Sequence, residues 1–187
     1  ILHGRSEDLV SLKQSLDNGF AVVTGMPGIG KTALLQQLEN CRFCTLNSSM
    51  DATELVGFWL ETDNPPRDLD AQIEMLSSID TTLIADEIQS VHERHRKDID
   101  ALLDRLMQTD GPALAIGVRA PSPYPSTIKL EGLTPDNGRL LLGDDISEER
   151  GLEVSQALDG HPLALHLWSP SDELPEASEA IQTFVEN

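Results

Sequence analysis

The sequence predicts an α/β protein in which a five-stranded, mainly parallel sheet lies between helices and is followed by a small all-helical domain. Three observations lead to this prediction. Short apolar runs alternate with segments of helical periodicity up to residue 131, which is the order that produces parallel strands joined by crossover helices. The stretch Phe20–Leu38 joins an apolar run, a glycine-rich turn and a second apolar-periodic segment. From Gly132 onward, only helical patterns remain.

The first domain is predicted over residues 1–131. Before its first strand, Leu9–Leu16 carries leucines at helical spacing, with Ser6 as the expected N-cap and Gly19 as the expected end. Strands are expected where apolar and β-branched residues cluster, at 21–24, 42–46, 81–85, 112–118 and 127–130. The helices between them are expected at 33–38, 55–60, 69–76 and 92–108.

The second domain is predicted over residues 132–187 as a helical lid. Thr134 and Ser147 are expected to cap its first two helices, because a side-chain hydroxyl can accept from a free backbone amide. Pro162 suits the first turn of the third helix. These helices are expected to end at Leu142, Leu158 and Trp168, and a last helix is expected over Ala177–Glu186. The chain begins at Ile1 without a methionine, and we expect it to be an excised segment of a longer protein.

The glycine-rich turn carries the first chemical motif. Gly25, Gly30, Lys31 and Thr32 have the spacing G-x-x-x-x-G-K-[ST], between a strand and a helix. In such a P-loop, backbone amides surround a phosphate chain, the lysine reaches the β- and γ-phosphates, and the hydroxyl binds Mg²⁺. We therefore predict a P-loop NTPase fold that binds a nucleoside triphosphate with Mg²⁺. The expected loop contacts to the nucleotide are Met26, Pro27, Gly28, Ile29, Gly30, Lys31, Thr32 and Ala33.

Two carboxylates follow the apolar run of the predicted strand 81–85. Asp86 is expected to help hold Mg²⁺, and Glu87 to orient and deprotonate the attacking water. Arg119 follows the next strand and is a candidate sensor of the γ-phosphate, with a structural ion pair as the alternative. The predicted catalytic residues are therefore Glu87, Lys31 and Arg119.

The composition limits the classes of partner. With 32 acidic and 13 basic residues, the formal charge is −19, so direct binding of nucleic acid by this segment is disfavoured. The acidity fits either adaptation to a high-salt cytoplasm or an acidic protein without it. The basic cluster His92–Lys97 fits either a solvated helix face or contact with an anionic partner.

The compartment predicted from the sequence is the cytoplasm. No stretch approaches the roughly 20 apolar residues of a membrane span, and no membrane association is expected. Cys41 and Cys44 lie in a predicted strand, where positions i and i+3 face opposite sides of the sheet. This spacing argues against a disulfide or a shared metal and favours reduced thiols.

Together these motifs resemble the STAND class of signal-transduction P-loop ATPases, which includes the NB-ARC proteins and archaeal relatives. The resemblance covers nearly the whole chain. It rests on the arm Leu2–Arg5, the loop GMPGIGKT, the strand ends LIADE and GVR, the helix start GLTPDNGRLLL and the stretch GHPLAL at 160–165.

The resemblance implies that Gly4 and Arg5 lie beside the adenine, that Pro162 packs against the base and that Arg119 senses the γ-phosphate. His161 replaces the leucine that is usual in this motif. It also implies a slow regulatory ATPase that acts as an ATP/ADP switch in signalling or transcriptional regulation. The lid would close over ADP, and ATP would promote self-association through adjacent domains, with a winged helix expected after Asn187.

Two alternatives to the switch are an AAA+ ATPase of the origin-recognition type and a nucleotide-dependent scaffold with little hydrolysis. The first shares the arm, the loop, the acidic pair and a helical lid, but usually has a polar Asn where this sequence has Arg119. The second has the same residues as a true ATPase, since the presence of Glu87 is necessary for hydrolysis but not sufficient.

Overall fold

The computed structural model describes residues 2–125 and 127–174 of the chain. The strands are β1 (Phe20–Gly25), β2 (Cys41–Thr45), β3 (Thr82–Asp86), β4 (Leu114–Arg119) and β5 (Ile128–Lys129). The helices are α1 (Ser6–Asp17), α2 (Lys31–Leu35), α3 (Ala52–Leu60), α4 (Leu69–Leu76), α5 (Glu93–Gln108), α6 (Pro135–Arg139), α7 (Glu148–Ala157) and α8 (Pro162–Leu167), with a 3₁₀ turn at Ile88–Ser90. The helix predicted for Ala177–Glu186 lies outside the described residues. None of the described helices combines the length and the apolar character that crossing a membrane requires.

The strands form one sheet in the order β2-β3-β4-β1-β5, and all neighbouring pairs are parallel. The predicted five-stranded sheet of a P-loop NTPase is thereby confirmed. Gly25 at the end of β1 is in register with Arg119 at the end of β4, and Thr45 is in register with Asp86. Because parallel strands all end at the same edge of a sheet, the P-loop, the acidic pair and Arg119 lie along that edge.

Both faces of the sheet are buried. On β3, Leu83 and Ala85 belong to an apolar cluster that includes side chains of α3, α4 and α5, whereas Ile84 belongs to a cluster that includes side chains of α1 and α2. This division follows from the alternation of side chains along a strand. Burial on both faces explains why these strands read as continuous apolar runs. It also leaves the edge at which the parallel strands end as the place where a site can be built.

The helical region after β5 has an apolar cluster of its own. Its buried members are Val154, Leu158, Ala164, Leu165 and Trp168. The predicted caps are confirmed, because the hydroxyl oxygens of Thr134 and Ser147 accept from backbone amides in the first turns of α6 and α7. The proposed domain boundary at residue 132 stays a prediction.

Several predicted helix ends differ from the structure by two residues or more. α3 begins at Ala52 and not at residue 55, because Asp51 caps it by accepting from the amide of Glu54. α2 begins at Lys31, two residues before the expected start.

Ser6 is the first residue of α1 and not its N-cap; Arg5 occupies the N-cap position without a capping bond from its side chain, since a guanidinium has no acceptor atom. α2 ends at Leu35 and α6 at Arg139, earlier than the expected ends at 38 and 142. In both places the amides beyond the helix bond to carbonyls three residues back, which tightens the last turn and ends the α-helix.

Candidate nucleotide-binding and active site

The P-loop, residues 25–32, depends on glycine for two different reasons. Gly28 and Gly30 have φ angles of +74° and +106°, in the left-handed region that side-chain-bearing residues rarely adopt. Gly25 is crowded, since a Cβ there would lie 2.6 Å from Cγ2 of Ile29. The backbone can therefore curl closely, as a loop that surrounds a phosphate chain with its amides must.

Lys31 lies with its ammonium group against the P-loop backbone. Its Nζ donates to the carbonyl oxygens of Gly25 at 3.0 Å and Met26 at 2.8 Å. Burial is the largest influence on its pKa and lowers it; the carboxylates of Glu87 and Asp86 oppose that effect. The charge of Arg119 lowers the pKa of Lys31 further. The ammonium is thus held where the loop and the carboxyl edge of the sheet meet.

Thr32 and Asp86 join the P-loop to the acidic strand. Oγ1 of Thr32 donates to Oδ2 of Asp86 at 2.5 Å, and Oδ1 of Asp86 accepts from the backbone amide of Glu87 at 2.9 Å. Asp86 is fully buried. Gly117 on β4 provides the room for this carboxylate, because a Cβ at residue 117 would lie 2.1 Å from Oδ1 of Asp86.

The donor set of this pair fits Mg²⁺. A hydroxyl and a carboxylate supply hard oxygen ligands, and Mg²⁺ is typically held by one or two carboxylates together with substrate phosphates and water. Within the described residues, no group of three or more His, Cys, Asp or Glu side chains could hold a metal by itself. Thr32 and Asp86 would therefore share such an ion with phosphate oxygens.

Glu87 follows β3 in an unusual backbone conformation. Its φ and ψ are 61° and 40°, a left-handed conformation that costs a non-glycine residue free energy. Its Oε2 accepts from Nε2 of Gln89 at 2.5 Å, and Oε1 of Gln89 accepts from the backbone amide of Arg119 at 2.9 Å. A chain of hydrogen bonds therefore links the end of β3 to the end of β4.

These elements enclose a cavity of about 680 Å³. Its lining includes residues of the P-loop, of the 3₁₀ turn and of the helical region. The predicted site residues among them are Pro27, Gly28, Gly30, Lys31, Thr32, Ala33, Glu87 and Arg119. Gln89, Ser90 and Leu163 also line it and were not predicted. The signal that could have found Gln89 and Ser90 is their position directly after the acidic strand end, where the sheet edge is built.

Two solved structures share this architecture. The Signal Transduction ATPase with Numerous Domains (STAND) protein with a tetratricopeptide repeat sensor from Pyrococcus horikoshii matches 91% of this chain with a TM-score of 0.66 and 20% identity. The Walker-type ATPase of Pyrococcus abyssi matches 97% with a TM-score of 0.64 and 14% identity. The chain has the fold of these P-loop ATPases. The resemblance predicted from the motifs is thereby confirmed at the level of the fold.

Each match covers a larger share of this chain than of the solved structure. This chain spans 32% of the length of the STAND protein and 72% of that of the Walker-type ATPase. No protein-family model matches the sequence, and none of the curated proteins matches it.

In this P-loop ATPase fold, the helical region rests directly on the phosphate-binding loop. His161 is 1% exposed, and its Nε2 lies 2.8 Å from the carbonyl oxygen of Pro27. The amide of Leu163 donates to the carbonyl oxygen of Gly28 at 3.3 Å. A Cβ on Gly28 would lie 2.6 Å from Cβ of Leu163, so the absence of a side chain at Gly28 also permits this approach.

The tautomer of His161 follows from its two partners. The amide of Ala164 can only donate, and it lies 3.2 Å from Nδ1 of His161. Nδ1 therefore accepts, and Nε2 carries the hydrogen that is donated to Pro27. Burial lowers the pKa of His161; the bond to Pro27 opposes this shift, while the charges of Lys31 and Arg5 add to it. The ring is thus neutral at pH 7 and joins α8 to the P-loop.

The N-terminal arm approaches the P-loop from another side. Nη2 of Arg5 donates to the carbonyl oxygen of Ile29 at 2.7 Å, and Nη1 forms an ion pair with Asp8 at 3.3 Å. Gly4 lies against Asn137 of α6, where a Cβ would come within 2.7 Å of the Cβ of Asn137. The arm therefore contacts both the loop and the helical region.

Six of the predicted site residues do not line the cavity: Gly4, Arg5, Met26, Ile29, Asp86 and Pro162. Ile29 is buried in the apolar cluster beside α2, and Met26 is exposed. Pro162 is half-buried at the first position of α8. The contacts to the base that the resemblance implies for Gly4, Arg5 and Pro162 stay predictions.

Proposed function

We propose that this chain binds ATP or ADP with Mg²⁺, hydrolyses ATP slowly, and uses the difference between the two nucleotides to move its helical region. The observation that supports this most is the convergence on one cavity of the P-loop with Thr32, Glu87 and Arg119, where Thr32 is hydrogen-bonded to Asp86 at 2.5 Å. These are the parts that phosphoryl transfer to water requires: donors for the phosphates, a metal site, a base and a cation.

Lys31 and the P-loop amides would bind the triphosphate. The Nζ–H groups of Lys31 now bond to the carbonyl oxygens of Gly25 and Met26, and phosphate oxygens would take over from those carbonyls. Thr32 and Asp86 would hold Mg²⁺. The ion, when bound, neutralises charge on the β- and γ-phosphates.

Glu87 would act as the general base. The oxygen of a water molecule attacks the γ-phosphorus, the bond from the γ-phosphorus to the bridging oxygen breaks, and ADP leaves with that oxygen. The proton of the water passes to the carboxylate of Glu87, which returns it to solvent. Arg119, exposed at the end of β4, would stabilise charge on the γ-phosphate and report its presence.

The helical region would respond through the loop itself. His161 and Leu163 bind the carbonyl oxygens of Pro27 and Gly28, which belong to the same loop that would hold the phosphates. A small change in the loop on exchange of ADP for ATP would therefore reach α8 directly. We propose that this movement controls self-association through adjacent domains, in cytoplasmic signalling or transcriptional regulation, with no direct binding of nucleic acid by this acidic segment.

The experiment compares the wild type with Glu87→Gln and Lys31→Ala, measuring ATP turnover and the binding of a fluorescent ATP analogue. Glu87→Gln should lower kcat by about 100-fold or more, since general-base catalysis contributes that much, and leave affinity nearly unchanged. Lys31→Ala should lose binding. Glu74→Gln is the matched control, because Glu74 is an exposed glutamate of α4.

Each measurement tests a different part of the proposal. Equal rates for wild type and Glu87→Gln would refute Glu87 as the base. Nucleotide binding without measurable turnover in the wild type would refute hydrolysis and favour a nucleotide-dependent scaffold. Retained binding in Lys31→Ala would refute the assignment of the phosphate site.

A further inference from the structure

Gln89 is a polar residue of the cavity that the roles above leave unused. It lies in the 3₁₀ turn after β3, and its side-chain amide spans the space between two of the proposed catalytic residues. Nε2 donates to the carboxylate of Glu87 at 2.5 Å, and Oε1 accepts from the backbone amide of Arg119 at 2.9 Å. Both polar atoms of the side chain are therefore engaged.

The orientation of this amide is determined by its partners. The backbone amide of Arg119 can only donate, so the atom of Gln89 that faces it must be the carbonyl oxygen. The NH₂ group of Gln89 must then point to Glu87, where an ionised carboxylate offers only acceptors. A flip of the amide would place two donors face to face at Arg119 and two acceptors face to face at Glu87. The link thus holds Glu87 at a defined distance from the end of β4.

The backbone that carries Gln89 is anchored on both sides. Ile88 and Val91 are buried in the apolar cluster that includes α5. Nη2 of Arg96, at the start of α5, donates to the carbonyl oxygen of Val91 at 3.2 Å. The 3₁₀ turn therefore cannot move together with the side chain of Glu87. Gln89 holds that side chain from a fixed position. This arrangement also prevents the backbone of Glu87 from relaxing out of its strained left-handed conformation.

We propose that Gln89 is a positioning residue that aims the carboxylate of Glu87 at the attacking water and ties it to the strand end that carries Arg119. The proposal rests on the hydrolysis proposed above. Without the amide, the carboxylate could rotate away from the γ-phosphate, and a displacement of about 1 Å can cost about 100-fold in rate. Gln89 itself takes up no proton and makes no bond to the substrate in this role.

The experiment measures ATP turnover, ATP affinity and the pH dependence of kcat in the wild type, Gln89→Ala and Gln89→Glu. Gln89→Ala should lower kcat by about 10- to 100-fold, with the affinity for a fluorescent ATP analogue changed less than about threefold. Gln89→Glu keeps an acceptor for Arg119 but faces Glu87 with a second carboxylate. The acidic limb of its pH profile should move to higher pH by about one unit, because two adjacent carboxylates do not both stay ionised.

Gln72→Ala is the matched control. Gln72 is a buried glutamine of α4 whose side chain, like that of Gln89, has two partners: its Nε2 donates to the carbonyl oxygen of Pro66 at 2.8 Å and to Oγ1 of Thr53 at 3.3 Å. It does not line the cavity. Its loss should lower thermal stability and leave kcat and the pH profile unchanged, so a general loss of stability is separated from a loss of position.

The results distinguish this proposal from the proposed function. If the wild type hydrolyses ATP and Glu87→Gln does not, while both Gln89 variants keep the wild-type kcat and pH profile, the positioning role is overturned and hydrolysis stands. If Gln89→Ala loses affinity in the same proportion as kcat, Gln89 binds substrate and does not position Glu87. If the wild type binds ATP without turnover, hydrolysis fails and the positioning role fails with it.

Discussion

Replacing His161 with leucine tests the contact between the helical region and the P-loop. The neutral ring caps α8 through Nδ1 and donates from Nε2 to Pro27. Loss of an N-cap costs about 1 kcal/mol, and loss of one hydrogen bond to a buried carbonyl costs about 1 kcal/mol. Leucine keeps most of the buried volume, so we expect the variant to be less stable by about 2 kcal/mol. For a chain of this length, that lowers the Tm by about 4–8 °C.

The pH dependence gives a second signature of the same residue. Burial lowers the pKa of His161 in the folded protein, so the folded state binds fewer protons than the unfolded state, in which the pKa is about 6.5. The contribution of the neutral His161 ring to the free energy of unfolding is therefore fully present above pH 7. It is lost as the pH falls below about 6.5 towards the lowered pKa of the folded protein. Leucine has no proton to take up. The difference in Tm between wild type and His161→Leu should narrow between pH 7.5 and pH 5.5.

The assay is thermal unfolding followed by circular dichroism without nucleotide, at pH 7.5 and at pH 5.5. His161→Asn serves as a partial variant, because asparagine can still cap α8 but is too short to reach Pro27; it should lose about half as much stability. His166→Leu is the control, since His166 is exposed on the same helix. A Tm for His161→Leu equal to or above that of the wild type at pH 7.5, or a difference that widens at pH 5.5, would refute the reasoning.

Three further predictions concern the sheet and its edges. Burial raises the pKa of Cys44 to about 11. At pH 8, a thiol reagent should therefore label Cys41 in the folded protein at least about tenfold faster than it labels Cys44. Equal labelling rates for the two cysteines would contradict the burial of Cys44. Gly117→Ala should lower stability by about 1–3 kcal/mol in chemical denaturation and weaken Mg²⁺-dependent nucleotide binding, because the new methyl group meets the Asp86 carboxylate. Burial and a bond to a carboxylate raise the pKa of Tyr124, the single tyrosine. Its absorbance at 295 nm should not titrate at pH 11 until the protein unfolds.

Features that depend on neighbours in the sequence could be predicted from the sequence. The strands were found because apolar β-branched runs of that length satisfy two buried faces, and the P-loop because its glycines and Lys31 have fixed spacing. The caps at Thr134 and Ser147 were found because capping is a contact within one turn. Ser6 failed as a cap because the chain before α1 turns towards the P-loop, which a local pattern does not reveal.

Contacts between distant parts of the chain could not be predicted in the same way. The bond from His161 to Pro27 joins residues far apart in the sequence, and the replacement of the usual leucine in GHPLAL does not by itself identify a partner. The link through Gln89 depends on the register of β3 and β4, because the backbone amide of Arg119 must lie within hydrogen-bonding distance of Gln89. Such contacts are decided by how the elements pack, and the roles assigned to the site residues stay predictions until they are tested.

The position of β1 in the sheet has a consequence for how the chain folds. β1 lies between β4 and β5, both of which come much later in the sequence, with Phe20 opposite Leu114 and Val23 opposite Ile128. During synthesis, an apolar strand therefore leaves the ribosome with neither edge paired until β4 has been made. Closing so long a loop is slow, and the unpaired strand is open to aggregation in the meantime. The strand that precedes the P-loop is thus, among the described strands, the one that waits longest for its first partner.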